Sequence, residues 1–350
     1  MRYTEEYWNE IERILDSISN IEKIYGRRIL ITGATGMICS SVVEVLLYLN
    51  RSRGADIEIF LAGRSKARVN QRFEDFVEGK DYCFVSYDAE EFQELDIKVD
   101  YVIHGASNAN PAAYSLFPVE TIYGNVVGMK SIMESAVHNG WRRILYISSS
   151  EVYGKKASSA PYMESNFGYV NILNARACYP NAKRLCETIC ASYAQEYGID
   201  FVVVRPGHIY GHTITRADNR ASAQFTWKAL IGENIVMKSP GTQHRSYCYT
   251  LDCASAIMVV LLNGESGEAY NVSNVNSIST IREIAETIAL ESGVEVEFDL
   301  PSEQELRGYN LMENSSLDSK KLESLGWKGI YSLHDGVKKT IELMKKGMHN

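Results

Sequence analysis

The spacing of apolar positions changes along this chain, and each change marks an element. Tyr7, Trp8, Ile11, Ile14, Leu15, Ile18, Ile21 and Ile24 recur at helical spacing, which predicts an amphipathic helix over residues 1–25 laid on the main body. Residues 28–32 form a short apolar run that reads as a strand, followed by Gly33-Ala34-Thr35-Gly36 and a helical pattern over 38–49. Further strands are expected at 57–62, 82–86, 101–104, 144–148 and 201–205, with helices over about 119–139 and 179–197 between them. This alternation predicts the α/β class, a doubly wound parallel sheet covered on both faces, over residues 26–205. After Pro206 the pattern weakens. A run at 271–273, a helix over 280–291, a strand over 294–298 and a helix from 333 predict a smaller C-terminal α+β lobe, mainly residues 206–350. Residues 245–262 are expected to return to the first domain, and the lobe to supply the other wall of a cleft.

Composition narrows the function classes. The 350 residues can bury a large core, and 45% hydrophobic with 23% charged residues is ordinary for a globular enzyme. The net charge of -8, with basic residues dispersed, argues against a nucleic-acid partner. The first 26 residues are rich in Glu and lack an uncharged apolar core, and no run approaches the ~18 apolar residues of a membrane span. The expectation is a cytoplasmic protein with no membrane partner. Seven cysteines, an odd number with no Cys-x-x-Cys, sit largely in apolar stretches and read as packed, reduced thiols. His208 and His212 are four apart but in an irregular segment, so no metal site is expected.

Two segments carry chemistry. Gly33, Thr35, Gly36, Met37 and Ile38 stand where a strand gives way to a helix. Glycine at 33 permits a tight turn, glycine at 36 lets the backbone approach a pyrophosphate, and the helix N-terminus offers free N–H groups to an anion. At the end of the second strand, where NAD binding calls for a ribose-binding acid, the chain reads Gly63-Arg64-Ser65-Lys66-Ala67-Arg68. An arginine can pair with a 2′-phosphate, so NADP is expected, with NAD as the alternative. The second segment is Tyr179-Pro180-Asn181-Ala182-Lys183, about thirty residues after Ser148-Ser149-Ser150. On a helix Tyr179 and Lys183 share a face, and a nearby ammonium favours a phenolate. Holding a tyrosine ionised at neutral pH takes a shift of roughly three units, or ~4 kcal/mol. Ser149 could hydrogen-bond the same substrate hydroxyl. Taken alone, the pair is a weak pattern that fits a partly buried tyrosine beside a lysine reaching back to solvent better than a catalytic site.

Together these residues resemble the extended short-chain dehydrogenase/reductases, specifically the nucleotide-sugar epimerase/dehydratase family, from Arg28 to about Trp327. The resemblance implies a Rossmann domain, a nucleotide-sugar substrate, a place in polysaccharide biosynthesis and a homodimer formed through the helices near 120–139 and 180–197. It makes Asp88 an adenine contact. His104-Gly105-Ala106-Ser107 is similar to the family's segment beside the cofactor, and Asn125-Val126-Val127-Gly128 to its structural asparagine motif. Cys39 replaces the usual third glycine of the loop. His208 stands where the family usually has asparagine, Arg245 resembles the arginine that clamps the substrate pyrophosphate, and Arg307 a second clamp.

The resemblance also implies a cycle. Tyr179 would take a proton from a sugar hydroxyl while the adjacent carbon passes hydride to the nicotinamide, giving a 4-keto sugar; Lys183 and the oxidised ring would stabilise the phenolate, and Ser149 would relay the proton. Glu151 would then select the product. Ser150-Glu151 resembles UDP-glucuronate decarboxylases and GDP-mannose dehydratases, and Arg176-Ala177-Cys178-Tyr179 with Lys183-Arg184 resembles the decarboxylase form of the active helix. An NADP-dependent reductase or dehydrogenase with net cofactor turnover, and a non-catalytic cofactor-binding sensor, remain the alternatives.

Overall fold

The computed structural model describes residues 3–107, 109, 111–300 and 314–348. The first part contains strands Arg28–Thr32 (β1), Glu58–Gly63 (β2), Cys83–Ser86 (β3), Tyr101–His104 (β4), Arg143–Ile147 (β5) and Phe201–Pro206 (β6). Between and before them lie helices Glu5–Leu15 (α1), Met37–Arg53 (α2), Lys66–Arg72 (α3), Pro111–Leu116 (α4), Pro118–Asn139 (α5) and Cys178–Tyr197 (α6). The second part contains His208–Tyr210 (β7), Ala221–Leu230 (α7), Ile235–Met237 (β8), His244–Tyr249 (β9), Thr250–Asn263 (α8) and Ala269–Val272 (β10). Ile278–Thr280 (β11), Ile281–Ser292 (α9), Val296–Phe298 (β12), Asn314–Ser315 (β13), Lys320–Glu323 (α10) and Leu333–Met348 (α11) complete it.

Seven parallel strands form the main sheet in the order β10-β6-β5-β4-β1-β2-β3. Each inner strand is apolar on both faces because helices cover both. Leu30, Val102, Ile144 and Val203 pack on the face covered by α5 and α6, while Ile29, Ile31, Ile103, Leu145 and Val204 join a larger core with α2 and α8. The strand order reverses between β1 and β4, and such a switch point opens a crevice beyond the carboxyl ends of the strands. A second sheet of β7, β9, β11 and β13, and a two-stranded pair of β8 and β12, form the lobe across that crevice. No helix among the described residues is long and apolar enough to cross a membrane.

The structure departs from the sequence pattern in two places. All of the apolar positions named above for residues 1–25 but Trp8, which is partly buried, are buried, but one helix does not carry them. α1 ends at Leu15, Ser17 turns its hydroxyl back onto the Ile14 carbonyl at 2.6 Å, and Asn20 adopts φ 60° before a 3₁₀ turn over Ile21–Ile24. Short polar side chains that bond local backbone compete with helix continuation. The run at 271–273 does not belong to the lobe: its strand β10 pairs with β6 at the edge of the main sheet. The return from the lobe is made by α8, which is buried along nearly its whole length and packs on α2. β9, just before it, stays in the lobe sheet.

Candidate active site

The glycine loop sits at the switch point. Gly33 has φ +68°, and a Cβ there would lie 2.8 Å from the Gly105 carbonyl carbon, so only glycine lets the loop after β4 close over it. Gly36 caps α2 with no side chain claiming the first-turn N–H groups. Cys39, where the resemblance expected a third glycine, still packs closely, because Gly105 has no Cβ where the Cys39 sulfur lies. This cradle of backbone N–H groups at a helix N-terminus fits a dinucleotide pyrophosphate.

A continuous cleft runs through it. At one end lie Thr35, Arg64, Ser65, Arg68, Asp88, Ala106 and Ser107; at the other, Met37, Ile38, Cys39, Tyr179 and Lys183; Gly33, Gly36, Gly105 and Ser107 border both. Ser65 caps α3 by accepting the Arg68 N–H, and Arg64 reaches Glu90 at 3.7 Å. Asn125 is buried and acts at one remove, with Ser107 donating to its Oδ1 at 3.0 Å. His104 is also buried and is not among the residues lining the cleft. Its Nδ1 lies 2.8 Å from the Thr32 hydroxyl, which accepts the Gly105 and Ala106 N–H groups and so fixes that loop. Burial first, and the Lys183 charge second, lower its pKa to about 3, so the ring is neutral.

The carboxyl end of β5 and the first turns of α6 bring Ser149, Tyr179 and Lys183 together. Ser149 caps a 3₁₀ turn over Ser150–Tyr153, its hydroxyl accepting the Glu151 N–H at 3.2 Å, and it draws the Tyr179 pKa down. Lys183 is buried, donates to the Ile147 carbonyl at 2.8 Å, and holds its ammonium 5.7 Å from the Tyr179 ring centroid. Burial lowers its pKa to about 8, partly offset by Cys186 and Glu187. The phenol does not follow the sequence expectation. Burial, then the Glu151 charge, push Tyr179 up to about 12, against opposing pulls from Ser149, Tyr114 and Arg220. The chain's own groups therefore leave a deficit at pH 7 on the order of 7 kcal/mol, and Lys183 alone does not remove it.

A separate pocket, bordered by Ala177 and Pro180 on either side of Tyr179, is lined by Ser150, Glu151, Arg176, His208 and Arg245. Arg176 grips Glu151 with two hydrogen bonds of 3.1 Å each. His208 Nδ1 is buried with no hydrogen-bond partner among the described residues. Burial, then the charges of Arg245 and Arg220, lower the His208 pKa to about 3. Arg307 lies outside the described residues. Three residues at this site have roles that sequence reasoning missed. Arg176 stands in the motif quoted above, but it lies in a 3₁₀ turn just before α6 and its spacing gave no sign of the pair with Glu151; Tyr114 and Arg220 are brought in from distant segments and carried no spacing signal.

The parallel sheet, the glycine cradle and the Ser-Tyr-Lys cluster define an enzyme that works with a nicotinamide dinucleotide. Residues 29–273 match the NAD dependent epimerase/dehydratase family, and the chain belongs to that family. Over 314 residues it is 31% identical to UDP-glucuronic acid decarboxylase 6 of Arabidopsis thaliana, covering 89% of this chain and 86% of that protein. UDP-glucuronic acid decarboxylase 1 of Xenopus tropicalis is 28% identical over 93% of this chain and 73% of its own length. The fold matches UDP-glucose 4-epimerase of Thermotoga maritima, solved with UDP-glucose, at a TM-score of 0.77 and 21% identity over 92% of this chain and 99% of that one. It likewise matches a dTDP-glucose 4,6-dehydratase of Streptomyces venezuelae, solved with NAD, at 0.77 and 23% over 92% and 98%.

Proposed function

We propose that this enzyme decarboxylates a nucleotide-linked hexuronic acid, UDP-glucuronic acid, through a transient 4-keto sugar. The observation that carries the reading is the Glu151–Arg176 pair standing in the sugar pocket next to Ser149 and Tyr179. The named relatives supply the substrate. When bound, the oxidised nicotinamide supplies the hydride acceptor for C4 and a positive charge beside the phenol. Tyr179 takes the proton of the 4-hydroxyl, and Ser149 holds that hydroxyl in line. Lys183, charged below about pH 8, favours the phenolate. The 4-ketone stands β to the carboxylate, so the C5–C6 bond breaks with its electron pair delocalised onto the ketone oxygen and CO₂ leaves. Glu151 is placed to relay a proton from solvent to C5, and as the hydride returns to C4 Tyr179 gives its proton back to the C4 oxygen. His208 and Arg245, in the same pocket, hold the nucleotide diphosphate. Incubation with UDP-glucuronic acid is expected to yield a UDP-pentose and CO₂ without net change in reduced cofactor. Oxidised sugar accumulating with stoichiometric reduced cofactor would instead support the dehydrogenase alternative.

For the cofactor we propose NADP, carried by Arg64 and Arg68 at the adenosine end of the cleft and by the lack of an acid at the end of β2. Arg64→Ala is expected to weaken NADP binding about 10-fold or more while leaving NAD within about twofold, one charge-assisted contact being worth ~1.5–3 kcal/mol. Titration calorimetry reads both, and tighter binding of NAD than NADP to the wild type would overturn the assignment. We also propose a homodimer through the apolar residues Val119, Ile122, Tyr123 and Leu185, exposed on α5 and α6. The location proposed is the cytoplasm, which suits seven unpaired thiols.

A further inference from the structure

Tyr179, Lys183 and Glu187 follow one another at four-residue spacing on α6, so they form one stripe along the helix. The steps above use only the first two. Lys183 donates to the Ile147 carbonyl, and one turn further on Glu187 accepts the Ser148 hydroxyl at 2.5 Å. Successive turns of the helix that carries Tyr179 thus hold the two residues that precede Ser149. Glu187 is itself gripped by Arg205, at the end of β6 and 4% exposed, which donates from Nε and Nη2 to its two oxygens at 3.0 and 2.6 Å. The same guanidinium donates from Nη1 to the Tyr153 hydroxyl at 3.1 Å, and that hydroxyl donates to Asn271 on β10. Arg184 of α6 adds a bond from its Nε to the Val152 carbonyl at 2.6 Å. The 3₁₀ turn Ser150–Tyr153, which bears Glu151, is therefore clamped on both sides, and Ser149 stands between the clamps.

We infer that Ser148 and Glu187 are positioning residues whose hydrogen bond sets where the Ser149 hydroxyl stands relative to the Tyr179 ring. The inference rests on the proposed roles of Ser149 and Tyr179 in the reaction. A serine that holds the substrate hydroxyl must do so in line with the base, and a misplacement of about 1 Å can cost about 10²-fold in rate. The bond in which Ser149 accepts the Glu151 N–H at 3.2 Å lies within the turn and does not tie it to α6. The Ser148–Glu187 bond does, one residue away. Ser148→Ala removes a single hydroxyl and leaves Glu187 bonded to Arg205 through both oxygens, so no buried charge is stranded. Glu187→Ala would strand the buried Arg205 charge and confound positioning with folding.

The test compares full-length wild type and Ser148→Ala, saturated with nicotinamide dinucleotide. Hydrogen exchange is followed at the amides of Glu151, Val152 and Gly154, whose bonds close the turn. Ser148→Ala is expected to speed their exchange by about 10-fold, the worth of one hydrogen bond to a charged group, and to leave β1 and β4 unchanged. On UDP-glucuronic acid kcat should fall by about 10-fold with KM within about twofold. Made in a Ser149→Ala background, the same substitution should cost less than about twofold, because the residue it positions is already gone. Exchange that Ser148→Ala leaves unchanged at these three amides, or a loss of kcat that persists in full without the Ser149 hydroxyl, would overturn the inference. The exchange needs no turnover, so it judges the pair even if UDP-glucuronic acid proves not to be the substrate.

Discussion

Tyr179→Phe is expected to lower kcat on UDP-glucuronic acid by about 10²–10⁴-fold, the usual worth of a positioned general base. The variant loses one oxygen and keeps the ring against Tyr114, so the pocket keeps its shape. No other described group can take over the proton. Ser149 is a hydroxyl of far higher intrinsic pKa, Lys183 is engaged with the Ile147 carbonyl, and Glu151 is held by Arg176. Cofactor binding, measured by calorimetry, should stay within about threefold, because a single neutral hydrogen bond is worth only ~0.5–1.5 kcal/mol. A variant that keeps more than about a tenth of wild-type kcat would remove Tyr179 from the role of base.

Glu44→Ala is expected to cost about 3–5 kcal/mol of folding stability, the usual cost of removing one partner of a buried ion pair. Glu44 lies on α2 and is fully buried, where it pairs with Arg72 at the end of α3 and accepts the hydroxyls of Tyr3 and Tyr7. His212, from the segment after β7, stands 4.0 Å away. One carboxylate thus joins the N-terminal helix, the cofactor helix, the helix that opens beside the cofactor cleft and the entry to the lobe. Removing it leaves the Arg72 charge buried and two phenols without an acceptor. Urea unfolding should show a lower midpoint at unchanged slope, and α1 should become sensitive to protease first. A loss below about 1 kcal/mol would mean that Arg72 finds water or another acceptor once Glu44 is gone.

How much of this was legible in the sequence depended on burial. β1 and β4 are central parallel strands with apolar residues on both faces, so their bounds could be read directly. α8 was harder, because a helix buried on every side has no polar stripe to set its period. The run at 271–273 reads as part of the lobe in the sequence because the partner of its strand β10, β6, lies more than sixty residues earlier, across the whole first half of the lobe. The short lobe strands β7, β8, β11 and β13, two or three residues each, are too short to show alternation. At the site, local patterns carried furthest: the loop at 33–38 and the Tyr179/Lys183 spacing each lie on one element. The energetics were not legible. That Tyr179 is pushed up by burial and by Glu151 depends on contacts between β5, α6 and α4, which no spacing rule encodes.

The central claim is that the sugar is oxidised at C4 and then reduced at the same carbon within one binding event. UDP-glucuronic acid carrying deuterium at C4, incubated with enzyme and unlabelled cofactor, tests it most directly, with the product read by ¹H and ²H NMR. The expected result is a UDP-pentose that retains deuterium at C4, with no label released to water. Deuterium recovered in free reduced cofactor, or a product carrying hydrogen at C4, would contradict the transient oxidation.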